Sequence, residues 1–258
     1  MKRKMFRRMI CLALALVMLG GSLSADAISY TSYIDDIMDT FVSVDDRAES
    51  APQQKANGAY RTVEMLEVIA YELGCSTEDI GPIMESYARM DDNAESAVQQ
   101  FANGTYRTVE MLVYIALELG CPVDDIIDIV DSFSRADDSA ESAVQQGANG
   151  VYTTVELLFF IAMKLGCSAT ELSDILDSFS EQDDQANSAE QQQVNGTYRT
   201  VELLILIALE AGCSATEISR VIDRWESSDS SAQSAVQQVV NGTYRTVELL
   251  SLIARKLA

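Results

Sequence analysis

Apolar residues along this chain recur at the spacing of a helix. Ile80, Ile83, Met84 and Tyr87 stand at i, i+3, i+4 and i+7, one face of an amphipathic helix. The same places hold Ile34, Ile37, Met38 and Phe41 upstream, and Ile126, Ile129, Val130 and Phe133 downstream. Ser168 with Glu171, and Ser214 with Glu217, are capping boxes that start this first helix. A second, shorter helix is predicted from a Ser followed three residues later by Gln: Ser50/Gln53, Ser96/Gln99, Ser142/Gln145, Ser188/Gln191 and Ser234/Gln237. Asn-Gly, beginning at Asn57, Asn103, Asn149, Asn195 and Asn241, predicts its end, because a left-handed C-terminal position suits either residue. A third helix follows. "VELLILIALEAG", from Val201 to Gly212, is apolar almost all round, which predicts burial on several sides. Thr62 and its equivalents would cap this helix, and Gly74, Gly120, Gly166 and Gly212 would close it.

The period is strict. "NGTYRTVE" begins at Asn103, and near-copies begin at Asn57, Asn149, Asn195 and Asn241, always 46 residues apart. Five units result: 29–74, 75–120, 121–166, 167–212 and 213–258. A unit this small cannot bury its own apolar faces, so neighbours must stack, and every unit must present the same surface to the next. The expectation is an all-α chain, with 28–258 forming a single α-solenoid of five three-helix repeats, elongated in one dimension. In period and helix count it is similar to the armadillo/HEAT class, at the level of architecture only.

The first 27 residues fall outside this pattern. Lys2, Arg3, Lys4, Arg7 and Arg8 precede the apolar run ICLALALVML, and small residues follow up to Ala25-Asp26-Ala27. That order describes a secretory signal peptide over residues 1–27. The apolar run is well short of the roughly 20 residues that span a bilayer, so no stable membrane anchor is expected after cleavage. The chain is read as secreted or extracellular, or periplasmic in a two-membrane bacterium.

Removing the leader would take five of the 18 basic residues and one of the 40 acidic ones, leaving a formal charge of −26. Such a chain repels phosphate backbones, which argues against nucleic acid and leaves cationic proteins, metal ions or simple solubility as better readings. Cys75, Cys121, Cys167 and Cys213 fall at one position per repeat. Stacked helices stand about 8–10 Å apart, too far for a disulfide between equivalent cysteines, so buried free thiols are expected.

Two sets of residues are candidates for binding. Tyr60-Arg61, Tyr106-Arg107, Tyr198-Arg199 and Tyr244-Arg245, with Tyr152 lacking its arginine, could stack into a ladder beside helix N-termini, where backbone N–H groups favour anions. The plainer reading packs each Tyr between repeats and pairs each Arg with the Glu three residues on. The second set comes from comparing the copies. Val113/Leu117, Phe159/Met163 and Ile205/Leu209 are apolar pairs in the middle units, where the end units read Glu67/Tyr71 and Ser251/Arg255. Capping polarises the ends of a stack, but a head-to-tail contact leaves a given surface bare at one end only. The pairs are therefore either buried between units or an exposed apolar stripe.

Other signals point to structure. Asp45-Asp46, Asp91-Asp92, Asp137-Asp138 and Asp183-Asp184 lack the alternating ligands of a calcium loop, so an acidic edge at loop turns is expected, with no metal site and no cofactor. The Gln-Gln pairs beginning at Gln53 suggest amide ladders between repeats. Asn103, Asn195 and Asn241 stand in glycosylation sequons, but Asn-Gly recurs where the Thr does not, so a turn explains the pattern better. The chain contains no His and no phosphate loop, which leaves carboxylate chemistry such as glycoside hydrolysis as the one enzymatic route. Similar repeats give each acid much the same environment, which disfavours it. The expected function is a protein- or glycan-binding scaffold module and not an enzyme. The alternative is a structural protein of a surface layer or matrix, built by self-association or divalent ions.

Overall fold

A computed structural model describes residues 30–45 and 47–258; the expected signal segment and Asp46 lie outside them. The described residues form ten helices and no strand. They are α1 (Tyr30–Asp45), α2 (Ala51–Leu73), α3 (Thr77–Asp92), α4 (Ala97–Glu118) and α5 (Val123–Asp138). After these come α6 (Ala143–Leu165), α7 (Ala169–Asp184), α8 (Ala189–Glu210), α9 (Ala215–Asp229) and α10 (Ala235–Leu257). The all-α class holds.

Each unit has two helices, not three. The predicted second and third helices are one continuous helix of 22 or 23 residues. It starts where predicted: Ser50, Ser96, Ser142, Ser188 and Ser234 each accept the backbone N–H of the Gln three residues on. Asn-Gly does not end it. The glycine is needed for what lies beside it. A Cβ on Gly104 would stand 2.7 Å from Cβ of Ala59, and one on Gly196 would stand 2.6 Å from Cγ1 of Val151. The glycines let neighbouring helices approach, and that contact outweighs the roughly 0.5–1 kcal/mol by which glycine disfavours a helix. Thr62 and its equivalents cap nothing. Thr62, Thr108, Thr154, Thr200 and Thr246 each donate to the glycine carbonyl four residues back. The expected terminators do act where they were placed: Gly74, Gly120, Gly166 and Gly212 all adopt positive φ.

The long helices α2, α4, α6, α8 and α10 pack side by side in chain order, and α10 packs along α2. The stack is therefore a closed ring and not an open, elongated solenoid. Repeated head-to-tail contacts close when their rotation divides a full turn, and here it closes after five units. The shorter helices α1, α3, α5, α7 and α9 form an outer layer. Each leans on its own unit's inner helix and touches the preceding one, which for α1 is α10.

The closing seam repeats the others. Tyr60–Tyr87, Tyr106–Phe133 and Tyr152–Phe179 have ring centroids 5.0 Å apart, and Tyr198–Trp225 5.2 Å. In each pair an inner helix meets the outer helix of the next unit. Phe41–Tyr244, at 4.9 Å, is the fifth such pair and joins the first unit to the last. A Cβ on Gly58 would likewise stand 3.0 Å from Thr243.

Between the layers, Ile34, Ile80, Ile126, Leu172 and Ile218 of the outer helices are buried against Met65, Met111, Leu157, Leu203 and Leu249 of the inner ones, within one continuous core. The four described cysteines are free thiols; Cys121 is buried and the others are half-buried. Burial, with nearby carboxylates adding to it, pushes Cys75 and Cys167 up to about 11.

Candidate functional site

The Tyr-Arg row lies in mid-helix, ten residues past the Ser cap, so no helix N-terminus stands beside it. Tyr60, Tyr106, Tyr198 and Tyr244 are half-buried in the aromatic pairs, and only Tyr152 is exposed. Arg61, Arg107, Arg199 and Arg245 pair with Glu64, Glu110, Glu202 and Glu248, and their side chains are only 9–12% exposed. These groups do not form an open ladder. Desolvation raises Glu64 and Glu202 above the usual carboxylate range against the lowering effect of their arginines.

Among the described residues no amide ladder joins the Gln pairs of neighbouring repeats. The first Gln of each pair instead donates to the Asn of its own helix, as in Gln53 to Asn57 at 3.1 Å and Gln191 to Asn195 at 3.0 Å. The sequon residues Asn103, Asn195 and Asn241 are buried within helices. Asp91-Asp92, Asp137-Asp138 and Asp183-Asp184 fall in the last turn of the outer helices rather than in loops, and so does Asp45, whose partner Asp46 lies outside the described residues. Among the described residues, no group of three or more Cys, Asp or Glu could hold a metal ion. No described helix is long and apolar enough to cross a membrane.

The apolar pairs behave differently. Val113, Phe159 and Ile205 are half-buried and pack against the core. Leu117, Met163 and Leu209, one turn further along, are exposed at 38%, 43% and 47%. Each pair lies on the outward side of an inner helix, between two outer helices. Interactions in the polar units fix this placement. Tyr33 of α1 is raised to about 12, first by burial and then by Glu67, so the first position of a pair faces its own unit's outer helix. Arg255 bonds Asp35 at 2.6 Å, so the second position faces the next outer helix.

Ring closure also explains why both ends turn polar. Units 1 and 5 are neighbours, so their polar pairs form one sector of the ring, clasped by Arg255–Asp35.

Val123 and Ile127, exposed at 56% and 50% on the outer helix of unit 3, escaped the sequence reading. Ile127 is the counterpart of Asp35, and Leu117 that of Arg255, so the ion pair of the closing seam becomes an apolar pair on the seam between units 2 and 3. The signal was there to find: the same place holds Asp35, Gly81, Ser173 and Ser219 in the other copies.

A second centre lies inside the ring. One position of the inner helices reads Lys55, Phe101, Gly147, Gln193 and Val239, five different residues within otherwise similar helices. Lys55 on α2 donates to Gln193 on α8 at 2.8 Å; the two helices are not adjacent, so the bond crosses the lumen. Its ammonium also stands 4.0 Å from the centre of the Phe101 ring. Gln193 donates in turn to the Val144 carbonyl at 2.7 Å. Gly147 leaves room for this layer, since a Cβ there would lie 2.9 Å from Gln193 and 3.1 Å from Phe101. Burial pushes Lys55 down to about 8, with Glu190 opposing the shift.

Two shallow pockets, of 390 and 320 Å³, lie between outer and inner helices in units 2 and 5. Their linings are repeat equivalents, Gln99 and Asn103 in one and Gln237 and Asn241 in the other. They follow from the repeat itself. No family model, curated protein or solved structure matches this chain.

Proposed function

We infer that this chain is an exported, acidic ring of helical repeats that acts as a scaffold, binding a protein partner on the outer face of its middle units. One observation carries the reading: Leu117, Met163 and Leu209 are exposed at a position that the outer units fill with Tyr71 and Arg255. A fold that needed this position apolar would keep it so at every seam, yet only the middle units do. Exposed apolar side chains rimmed by charge favour a partner. The charge of −26 favours a cationic one and opposes close approach of a second copy.

The test is cross-linking capture from the native extracellular milieu, comparing the mature chain with the triple variant Leu117→Ser, Met163→Ser, Leu209→Ser. The expected result is a partner lost in the variant, with a melting loss well below that of three core substitutions because these side chains are partly exposed. Capture that persists in the variant, or a melting loss typical of three core substitutions, would contradict the reading.

A further inference from the structure

We propose that the groove over α4, between the outer helices α3 and α5, receives one basic amphipathic helix of the partner. The proposal rests on the binding reading above and adds the chemistry of the occupant.

The first argument is spacing. Inner helices in contact stand about 8–10 Å apart, and outer helices one layer further from the ring axis stand roughly 16–20 Å apart. A gap of two helix spacings accommodates one more helix, in contact with both walls and the floor. An extended strand would leave the walls untouched.

The second argument is the lining. Val113 and Leu117 supply the floor, and Val123 and Ile127 the α5 wall. Val123 and Ile127 lie one helical turn apart, as do Val113 and Leu117, so an entering helix meets apolar groups at its own i, i+3, i+4 spacing. The equivalent grooves over α6 and α8 have Ser173 and Ser219 on the wall in place of Ile127. The α4 groove is the most apolar of the three.

Charge provides the third argument. Asp79 stands on the α3 wall and Glu118 beside the turn that leads into α3, where a Cβ on Gly74 would lie 3.3 Å from its carboxylate. On α5, Asp124 and Asp128 lie beyond the wall and Asp125, the counterpart of Asp79, turns toward the groove over α6; all five are exposed. None of the five joins an ion pair among the described residues. Lys164, beside the turn that leads into α5, donates to the Gly120 carbonyl at 2.6 Å. An apolar floor inside an acidic rim matches a helix with a leucine stripe flanked by lysine or arginine. It repels an acidic helix, and with it a second copy of this chain.

The experiment is fluorescence anisotropy with the mature chain and a labelled 18-residue peptide, with Leu at i, i+3, i+4 and i+7 and Lys on the flanking positions. Saturable binding at one tight site, accompanied by a gain of peptide helicity, is expected. Dispersing the leucines, exchanging Lys for Glu, or substituting Leu117→Asp together with Ile127→Asp should each weaken that site at least tenfold. The variant should keep the parent's helical content and a single cooperative unfolding transition. Equal binding by the dispersed-leucine peptide, or wild-type affinity in the variant, would overturn the proposal. Absence of peptide binding, where the triple serine variant still loses its captured partner, would overturn the helix and leave the binding reading standing. If capture also survives in that variant, both fall.

Discussion

Gly104 shows how one side chain decides the architecture. It sits in the middle of α4, where helix propensity alone favours alanine by roughly 0.5–1 kcal/mol. An added Cβ would meet Cβ of Ala59 at 2.7 Å, the Tyr87 hydroxyl at 3.2 Å and the Ala59 backbone at 3.4 Å. Only the hydroxyl can move aside easily. Overpacking of this kind costs about 1–3 kcal/mol, so Gly104→Ala should lower the urea midpoint despite the better propensity. A midpoint that rises would mean that the helices are not in contact there. Read as sequence, Asn-Gly resembles a helix end because its turn chemistry is local and the neighbouring helix that needs the missing Cβ is not.

Lys55 was invisible to periodicity, and only its side-chain partners across the lumen reveal its role. Its folded-state value is about 8, below the ordinary 10.5. Between those limits the unfolded chain binds more protons than the folded one, so Lys55 makes stability rise with pH from about 8 to 10.5. Below that window both states are charged, and burial of the ammonium is a constant cost. Lys55→Met should remove the rise and increase stability at neutral pH by about 1–2 kcal/mol, after the loss of the Gln193 acceptor's partner is offset. The check is the difference in unfolding free energy between variant and parent from pH 7 to 10.5, which cancels cysteines titrating nearby. A parent whose pH dependence survives in Lys55→Met contradicts the assignment.

At the scale of elements, much was legible. The amphipathic faces of the outer helices, the Ser caps of the inner helices and the glycine terminators all follow from local chemistry, and the structure keeps each of them. The aromatic contact was half legible: Tyr packing between repeats was expected, but its partner on the next outer helix was not. Helix number failed at Asn-Gly, and the stripe was found only in part because Val123 and Ile127 belong to a different helix from Leu117. The aromatic pairs give this scale its own prediction. In a ring, Phe41 contributes to a seam equivalent to that of Phe133, so Phe41→Ala and Phe133→Ala should each cost about 3–5 kcal/mol in chemical denaturation. In an open stack, Phe41 would lie on a terminal unit with no Tyr244 against it. Phe41→Ala would then cost far less than Phe133→Ala.

At the scale of the whole molecule, the repeat period predicts that units stack but leaves the rotation between them undetermined, and rotation decides between a superhelix and a ring. Closure makes neighbours of the two ends, brings Arg255 to Asp35, and gathers the polar pairs into one sector opposite the apolar grooves. The proposed binding face depends on that arrangement, so closure is the claim to test. The direct measurement is pulsed electron spin resonance between labels at Asp35→Cys and Arg255→Cys, in a chain without residues 1–27 and with Cys75, Cys121, Cys167 and Cys213 replaced by serine. A closed ring predicts a single narrow distribution below about 20 Å, one helix spacing plus the label arms. A distribution centred near 40 Å or beyond, four helix spacings along an open stack, would contradict it.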